Sequence, residues 1–510
     1  MNTARYAKEA LIEQSTYDLR EHLSDHVSDS GGIQERCNSR ALESALMLRL
    51  LQQENMYPQV QTTIIRFLHA RYNAPDLSKI EQLLIDVSLG KPITGDASIS
   101  VMLADFRHFT SSRKRLMFET YLAVLEAVPY NTTIDPSLLE YHGYASWVGL
   151  TLCAIKILNA YGQGRAELVT SEDKAFLIEQ LTGSTFREVW ECHFSCHLLA
   201  LLALHKWTPG HPVIRNGINN MLRHSNPDGG LPFIPDMTVF LTTLAGTALA
   251  KTGARPALLQ QMADYITLLQ THKGGWPYTE GVQQTDVDDT CCAVEFLRIV
   301  DAQRYAEPIA AATNFLINMV NTDGGFPTYQ HGHPSEVTMT ANAIIALAPD
   351  GERYAKLLQA AITFLYQQQQ LDGSFERSWS LSETYAIARV TSALKQVPPR
   401  YVEPVQTYVD HLLEKLLHYL VNAQHADGGW GHKAGGPSDV ISTAHAMTAV
   451  AQLNGPVELQ QGWHYLLQHQ DANGGFRSIP DQAAPRPIPY DFPVLADIFV
   501  LNAFGMYQSN

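Results

Sequence analysis

Apolar residues recur every three or four positions through most of the chain, which is the periodicity of helices with one buried face. The pattern is clearest in AAATNFLINMV (310–320), ANAIIALA (341–348) and ISTAHAMTAVAQL (441–453). These segments lack the strict alternation and the β-branched runs that are typical of strands. The chain is therefore predicted to be all-α.

A glycine-containing turn, usually followed by an aromatic residue, separates these helices at nearly regular intervals. Its first glycine recurs after 45, 50, 49, 55 and 46 residues, a period that fits two helices and two loops per repeat. Glycine supplies the positive φ that often ends a helix, and the aromatic residue is expected to plug into the next repeat. The turns are Gly229-Gly230-Leu231, Gly274-Gly275-Trp276, Gly324-Gly325-Phe326, Gly373-Ser374-Phe375, Gly428-Gly429-Trp430 and Gly474-Gly475-Phe476.

Stacked helical pairs either continue as an open solenoid or close into a ring. The C-terminal stretch YDFPVLADIFVLNAF (490–504) is apolar and does not look like a polar capping repeat, which favours a closed α/α barrel. The first ~210 residues carry the pattern less regularly, and the break WTPGHP (207–212) separates them from the regular repeats. We expect an N-terminal helix at 1–20 that packs on the barrel, an irregular helical domain at 21–210 and the barrel at 211–510.

The composition of the chain limits which kind of partner and which cellular compartment are expected. Lys and Arg number 36 against 51 Asp and Glu, a net charge of −15, so a nucleic acid is not the expected partner. The N-terminus has no signal-peptide run, and no stretch reaches about 18 uninterrupted apolar residues, so no membrane insertion is expected. Six cysteines are too few for a disulfide scaffold of this length. We predict a cytoplasmic protein with a small-molecule partner, and the oligomeric state stays open.

The densest group of acids, Asp286, Asp288 and Asp289, opens the helical segment that continues as AVEFLRIV (293–300). A helix N-terminus favours Asp and Thr as caps, so part of the group is explained without any chemistry. Three acids within four residues are more than a cap requires. At 100° per residue Asp286 and Asp289 share a face, while Asp288 points elsewhere.

The pattern Asp286-Val287-Asp288-Asp289-Thr290, together with the glycine–aromatic turns, resembles the class II terpene cyclases, and at this length the bacterial class II diterpene cyclases. The resemblance covers essentially the whole chain and implies a γ-type helical domain inserted ahead of a β-type α/α barrel. It also implies that Asp288 is the general acid that protonates a terminal alkene, with Asp286 and Asp289 beside it. An alkene is a very poor base, so the acid must be neutral, and burial and repulsion among the three carboxyl groups favour that state.

The resemblance implies a linear prenyl diphosphate as substrate, with the diphosphate retained in the product. The D-D-x-x-D motif with which class I synthases ionise a diphosphate is absent from the sequence. Geranylgeranyl diphosphate, giving a bicyclic diterpenyl diphosphate, is the favoured substrate, and farnesyl diphosphate, giving a drimane-type product, is the alternative. A class I terpene synthase is a candidate partner that would consume the product.

Carbocation intermediates call for aromatic faces, which attract cations. Trp379 and Tyr385 lie in RSWSLSETYAIARV (377–390), which resembles the family's tryptophan-containing stretch opposite the acid. Trp276 and Tyr278 are further candidates, although Trp276 serves equally well as a repeat plug. Phe326, Trp430 and Phe476 are expected to be plugs.

The retained diphosphate calls for cations, and the resemblance implies Mg²⁺ as cofactor, bound from the γ-type side. Its ligands stay unassigned; Asp135 and Glu140 lie in roughly the right region. Asn342 falls near a stretch where relatives place polar cavity residues. The candidate cations are Lys273, Arg377, Arg113, Lys114, Arg115 and Arg187.

Three alternative interpretations are open. A zinc-dependent prenyltransferase would share the barrel and use Asp289 and Cys291 as ligands, but His331, His333 and His411 are not in a suitable helical setting for the third. A second metal site would use Cys192-His193 and Cys196-His197, whose spacing aligns like residues on a helix. A helical-repeat interaction module would explain the repeats but not the three acids.

Overall fold

The computed structural model describes residues 2–74, 77–91, 110–183 and 189–509. Helices dominate this part of the chain, and its strands are two residues long each: β1 (Ser39–Arg40), β2 (Leu231–Pro232), β3 (Gln482–Ala483) and β4 (Pro489–Tyr490). The described helices are α1 (Asn2–Ser24), α2 (Ala41–Gln53), α3 (Pro58–Arg71), α4 (Lys79–Ser88), α5 (Ser111–Val124), α6 (Ser146–Gly162), α7 (Ser171–Gly183), α8 (Phe194–His205), α9 (Pro212–Leu222), α10 (Thr238–Lys251), α11 (Pro256–Leu268), α12 (Val287–Asp301), α13 (Ala306–Met319), α14 (Val337–Leu347), α15 (Gly351–Gln368), α16 (Glu383–Gln396), α17 (Pro399–Val402), α18 (Gln406–Ala423), α19 (Val440–Val450), α20 (Gln461–Gln468) and α21 (Val494–Gln508).

The repeats close into a barrel of two concentric helical layers. The inner layer is α10, α12, α14, α16, α19 and α21, each packed on the next, and α21 packs back on α10. These helices are buried nearly all round, as α14 and α19 show, with every residue buried. The outer helices α11, α13, α15, α18 and α20 bury one face only, and α1 packs on α21, α10 and α20. The predicted all-α class and the α/α barrel are confirmed.

The glycine turns have the backbone conformation that their sequence requires. The first glycine of each of the six turns has φ between 84° and 95°. At Gly274 a Cβ atom would lie 2.6 Å from the carbonyl oxygen of Ala311, so a side chain is excluded by space as well as by conformation. The indole N–H of Trp276 donates to the carbonyl of Ile266 at 2.8 Å. This plug is thus anchored to the outer helix that precedes its own turn.

The described residues form two hydrophobic cores. One holds the barrel helices together with Ile12, Ile33 and Cys37, and the other holds α2 to α9 and extends to Leu231. The chain passes between the cores twice, and β1 and β2 pair antiparallel at these crossings, with Ser39 opposite Pro232. By packing, the second unit thus begins after residue 37 and ends near 231, and domain boundaries at 21 and 211 stay a proposal. No described helix has both the length and the apolar content that crossing a membrane requires.

Candidate active site

A cavity lies between the two cores and draws its walls from both. The irregular helical unit contributes Lys114 and Trp147, and the barrel contributes Asp288, Trp379 and Arg486. Most of the other lining side chains are apolar or aromatic. A mainly apolar chamber with a few acidic and basic groups is typical of a small-molecule site.

Part of the acidic motif is structural and recurs around the barrel. Asp286 is the N-cap of α12, and its carboxylate accepts a hydrogen bond of 2.8 Å from the N–H of Asp289. Its own N–H donates to the carbonyl of Trp276, and Thr290 Oγ1 accepts from the Trp276 N–H at 3.0 Å. Elsewhere in the barrel the same backbone contact joins Phe326 to Glu336 and Trp430 to Asp439, with Thr340 and Thr443 in the place of Thr290. The first acid and the threonine of the motif therefore belong to the repeat, whereas Asp288 and Asp289 do not.

Asp286 and Asp289 form a buried pair. Each is 4% exposed, the backbone N–H of Asp289 donates to Asp286, and Oδ1 of Asp289 is buried without a hydrogen-bond partner. Burial is the main cause that raises the pKa of both groups, and the charge of Asp288 raises both further. Both carboxyl groups therefore favour the neutral form more than an ordinary aspartic acid does, and they titrate as a pair.

Asp288 is half-buried and lines the cavity. Burial raises its pKa to about 6, and the charge of Glu336 acts in the same direction. Arg389 and the hydrogen bond from Asn342 oppose this shift. Burial thus favours a neutral Asp288, as expected, and the expected repulsion among the three carboxyl groups appears as the effect of the Asp288 charge on Asp286 and Asp289.

A chain of buried polar groups reaches Asp288 from behind the cavity wall. Asn342 Nδ2 donates to Asp288 Oδ1 at 2.6 Å, and Arg389 Nε donates to Asn342 Oδ1 at 2.5 Å. Arg389 Nη2 donates to Glu295 at 3.0 Å, and Lys251 Nζ lies 3.4 Å from the same carboxylate. The sequence analysis pointed to Asn342 but missed Arg389 and Glu295. Their signal was a charge in the middle of an inner helix, away from the charged residues at its two ends.

The predicted aromatic residues divide between cavity wall and core. Trp379 and Tyr278 line the cavity. Tyr385 is buried against His445, with ring centroids 4.9 Å apart, and Asp288 raises its pKa in addition to burial, so it lies behind the acid and not on the wall. Trp276 is fully buried as a repeat plug and is absent from the wall, which corrects its assignment as a cavity residue. Aromatic residues that the sequence analysis missed on the wall include Trp147, Tyr329 and Tyr490.

Some of the predicted cations line the cavity, and others lie away from it. Arg113 and Lys114 line the cavity, where they are joined by Arg486, which the sequence analysis did not single out. Burial and then the charge of Arg486 lower the pKa of Lys114. The assignment of Lys273 as a substrate-binding cation is corrected. Lys273 is exposed, between the end of α11 and Gly274, and does not line the cavity.

The remaining cations lie elsewhere. Arg377 donates to the carbonyl of Leu381 at 3.1 Å and supports Arg486 through its own carbonyl, at 3.0 Å, without lining the cavity. Arg115 is exposed, and Arg187 lies outside the described residues. Within the described part of the chain, Nη1 of Arg113 is a buried donor that has no hydrogen-bond acceptor.

The donor set does not fit a resident metal site. Among the residues that the structure describes, no three His, Cys, Asp or Glu side chains come together as metal ligands. Asp135 and Glu140 are exposed and do not line the cavity. The carboxylates beside Lys114 are Glu336 and Glu376. Because Mg²⁺ often takes one or two carboxylates together with substrate phosphates, these two are the protein groups that could share such an ion with a diphosphate.

The two alternative metal sites are not formed. Asp289 is paired with Asp286, and burial keeps Cys291 a thiol by raising its pKa, so a zinc ligand set is missing in this part of the chain. The expected helix through Cys192 and Cys196 is corrected, because α8 begins only at Phe194 and Cys192 has a φ of 57°. His193 caps this helix by accepting from the N–H of Cys196.

Comparison with known proteins agrees with the fold. Residues 166–333 and 311–481 match the family model of the prenyltransferase alpha-alpha toroid domain. Drimenyl diphosphate synthase of Streptantibioticus cattleyicolor is 39% identical over 95% of this chain and 92% of its own, and that of Streptomyces showdoensis is 37% identical over 94% and 91%. The ent-copalyl diphosphate synthase of Streptomyces platensis shares the fold, with a TM-score of 0.61 at 16% identity, over 98% of this chain and 99% of its own. The chain therefore belongs to the class II terpene cyclases.

Proposed function

We propose that the protein cyclises farnesyl diphosphate to drimenyl diphosphate. Two relatives with that product in their names align with more than nine-tenths of the chain at 39% and 37% identity. This similarity supports the C15 alternative over the C20 substrate that the sequence alone favoured. The observation that carries the proposal is the position of Asp288, a carboxyl group with a raised pKa on the wall of a mainly apolar cavity.

Asp288 supplies the initiating proton in this proposal. At pH 7 a carboxyl group with a pKa of about 6 is protonated in roughly a tenth of molecules, against on the order of one in a thousand for an ordinary aspartic acid. An apolar substrate that displaces water from the cavity raises this fraction further. The proton adds to the distal double bond of the prenyl chain and leaves the positive charge on the more substituted carbon.

The remaining double bonds then close the rings. Each attacks the cation before it, so two C–C bonds form and the charge moves to a tertiary carbon. Loss of a proton from a neighbouring carbon restores a double bond, and substrate and product are isomers. The faces of Trp379, Tyr329 and Trp147 stabilise the cations without offering a nucleophile that would trap them. No bond to the diphosphate breaks.

The basic side of the cavity holds the diphosphate in this proposal. Arg113, Lys114 and Arg486 line the cavity together, and the charge of Arg486 acts on Lys114. The unpartnered Nη1 of Arg113 is the kind of buried donor that an anionic oxygen satisfies. Mg²⁺ bound through the diphosphate, with Glu336 or Glu376, would offset part of the diphosphate charge.

Product analysis tests the proposal directly. The enzyme is incubated with farnesyl and with geranylgeranyl diphosphate, and products are identified by mass spectrometry with and without phosphatase. We expect a bicyclic C15 alcohol only after phosphatase, little pyrophosphate release, and a higher kcat/KM with farnesyl diphosphate. Asp288→Asn should abolish the product while circular dichroism stays unchanged. Preferred turnover of the C20 substrate would overturn the substrate assignment, and an active Asp288→Asn protein would overturn the mechanism.

A further inference from the structure

We propose that Arg389 is a positioning residue that determines which oxygen of Asp288 carries the initiating proton, acting through the amide of Asn342. The inference rests on the proposed role of Asp288 as the acid. It comes from the chain Glu295–Arg389–Asn342–Asp288, in which consecutive groups are 3.0, 2.5 and 2.6 Å apart. Asn342 is fully buried and Glu295 is 8% exposed.

The chemistry of the guanidinium fixes the orientation of the amide. An arginine has donors only, so the group of Asn342 that faces Arg389 Nε has to be its oxygen. The amide nitrogen then faces Asp288 and donates to Oδ1. Because Oδ1 is already an acceptor, the proton of the neutral acid resides on Oδ2. Without Arg389 the amide can turn over, and its oxygen can then accept the proton that the substrate needs.

Arg389 is itself held in place by buried charges. Its Nη2 donates to Glu295, and its side chain is 14% exposed. Burial alone would raise the pKa of Glu295, but Arg389 and Lys251 together lower it to about 2, so the carboxylate stays charged. A buried arginine with this partner loses little orientational freedom. The planar guanidinium directs Nε at Asn342 and Nη2 at Glu295 in one fixed geometry, which the single nitrogen of a lysine does not reproduce.

The charge of Arg389 and its geometry have separable effects. Its positive charge lowers the pKa of Asp288, so removing the charge raises that pKa. If kcat depends on protonated Asp288, the pH profile of kcat has a limb that falls as pH rises. This falling limb should move to higher pH when the charge of Arg389 is removed. Loss of the geometry alone should lower kcat and move the limb less, because only the hydrogen bond from Asn342, and not the charge of Arg389, is then lost.

Titratable groups from several elements pack around Asp288 and Arg389. Their protonation states matter for the interpretation of the pH test. His445, from α19, has its pKa lowered to about 3 by burial and Arg389, and burial raises the pKa of Tyr385, Cys291 and Cys292, so these four stay neutral between pH 5 and 8. The charged or titratable groups facing Asp288 and Arg389 are Asp286, Asp289, Cys291, Cys292 and Glu295 from α12, Glu336 before α14, Tyr385 from α16, His445 from α19 and Tyr490 from β4.

The test compares Arg389→Lys, Arg389→Met, Asn342→Ala and the double variant Arg389→Met/Asn342→Ala, with kcat measured from pH 5 to 9 on farnesyl diphosphate. We expect Arg389→Lys to lower kcat about tenfold or more and to move the limb less than Arg389→Met does, because it keeps the charge. Arg389→Met should lower kcat and move the limb to higher pH. The double variant should lose little more than Asn342→Ala alone, because Arg389 acts through that amide.

Arg71→Met is the matched control, since it breaks a half-buried pair with Glu81 in the other core, and it should lower the melting temperature only. A multiplicative loss in the double variant, or wild-type kcat in Arg389→Lys, would overturn the positioning role. If Arg389→Met does not fold, Arg389→Lys and Asn342→Ala still decide. Activity in Asp288→Asn would instead refute the proposed acid itself, which separates the two failures.

Discussion

The carboxylate of Asp286 accepts a hydrogen bond from the backbone N–H of Asp289, three residues later, at 2.8 Å. Asp439 makes the same contact with the N–H of Ser442, at 2.7 Å, in a later repeat of the barrel. The position that begins an inner helix is thus an acidic cap in both repeats. The repeat that contains Asp286 differs in one respect. There the residue that donates its N–H is itself an acid, Asp289, and its neighbour Asp288 lies on the cavity wall.

Substitution of each of the two caps separates an effect on stability from an effect on catalysis. Asp286→Ala and Asp439→Ala each remove an N-cap and should each lower the free energy of unfolding by about 1 kcal/mol or more. Only Asp286→Ala should also lower kcat, because it removes a buried carboxyl group that interacts electrostatically with Asp288 and Asp289. Unfolding in urea and kcat per folded enzyme are the measurements. Equal loss of kcat in both variants would assign Asp286 to structure alone.

The raised pKa of Asp288 should make the wild-type protein less stable as pH rises. The folded-state pKa is about 6 and the ordinary value is 3.8, so the unfolded chain releases this proton first. The resulting cost grows between pH 3.8 and 6 and is complete above pH 6, at on the order of 3 kcal/mol. Asp288→Asn removes the titration. This variant should therefore exceed the wild type in stability at pH 8, and the difference should shrink at pH 5.

Urea unfolding at both pH values checks this expectation. Asp410→Asn, on the exposed side of α18, is the control and should shift stability little at either pH. A stability difference for Asp288→Asn that is the same at pH 5 and pH 8 would mean that burial does not raise the pKa of Asp288 in the folded protein.

The barrel was predictable from the sequence because its signals are local. Each glycine turn needs a positive φ, the inner helices are rich in apolar and small residues, and both properties can be read from a few consecutive residues. The recurring cap was predictable too. Aligning TDVDDT (285–290) with SEVTMT (335–340) and SDVIST (438–443) places Asp286, Glu336 and Asp439 in one column and leaves Asp288 and Asp289 as the exceptions.

The cavity was less predictable because its walls come from distant parts of the chain. Trp147 and Arg486 lie 339 positions apart in number (486 − 147) and still share one cavity, which no local pattern reveals. Lys273 is adjacent in sequence to the acidic repeat but points to solvent, because it sits on the outer side of a glycine turn. Arg389 went unnoticed because the role of a buried charge depends on partners from two other inner helices.

The cations on the cavity wall should control substrate binding more than chemistry. Lys114→Met and Arg486→Met each remove hydrogen-bond donors from the proposed diphosphate contact, and KM should rise about tenfold or more while kcat changes less, because the diphosphate is not cleaved. Arg115→Met is the neighbouring control: Arg115 is exposed and does not line the cavity, so KM should stay near wild type. Steady-state kinetics decide, and a fall confined to kcat would remove these residues from the diphosphate site.

Removal of Mg²⁺ should act in the same way as loss of a cation. The described residues offer no three-ligand site, so the predicted ion would be held mainly by the diphosphate, with Glu336 or Glu376 as the protein's share. Loss of an interaction that substrate and transition state share raises KM and leaves kcat nearly unchanged. EDTA should therefore raise KM, and saturating farnesyl diphosphate should restore most of the rate. Excess Mg²⁺ is expected to inhibit, because it competes with Lys114 and Arg486 for the same oxygens. A kcat that vanishes with EDTA at saturating substrate, while circular dichroism is unchanged, would place the metal in the chemical step and would contradict proton transfer from Asp288 as the initiating event.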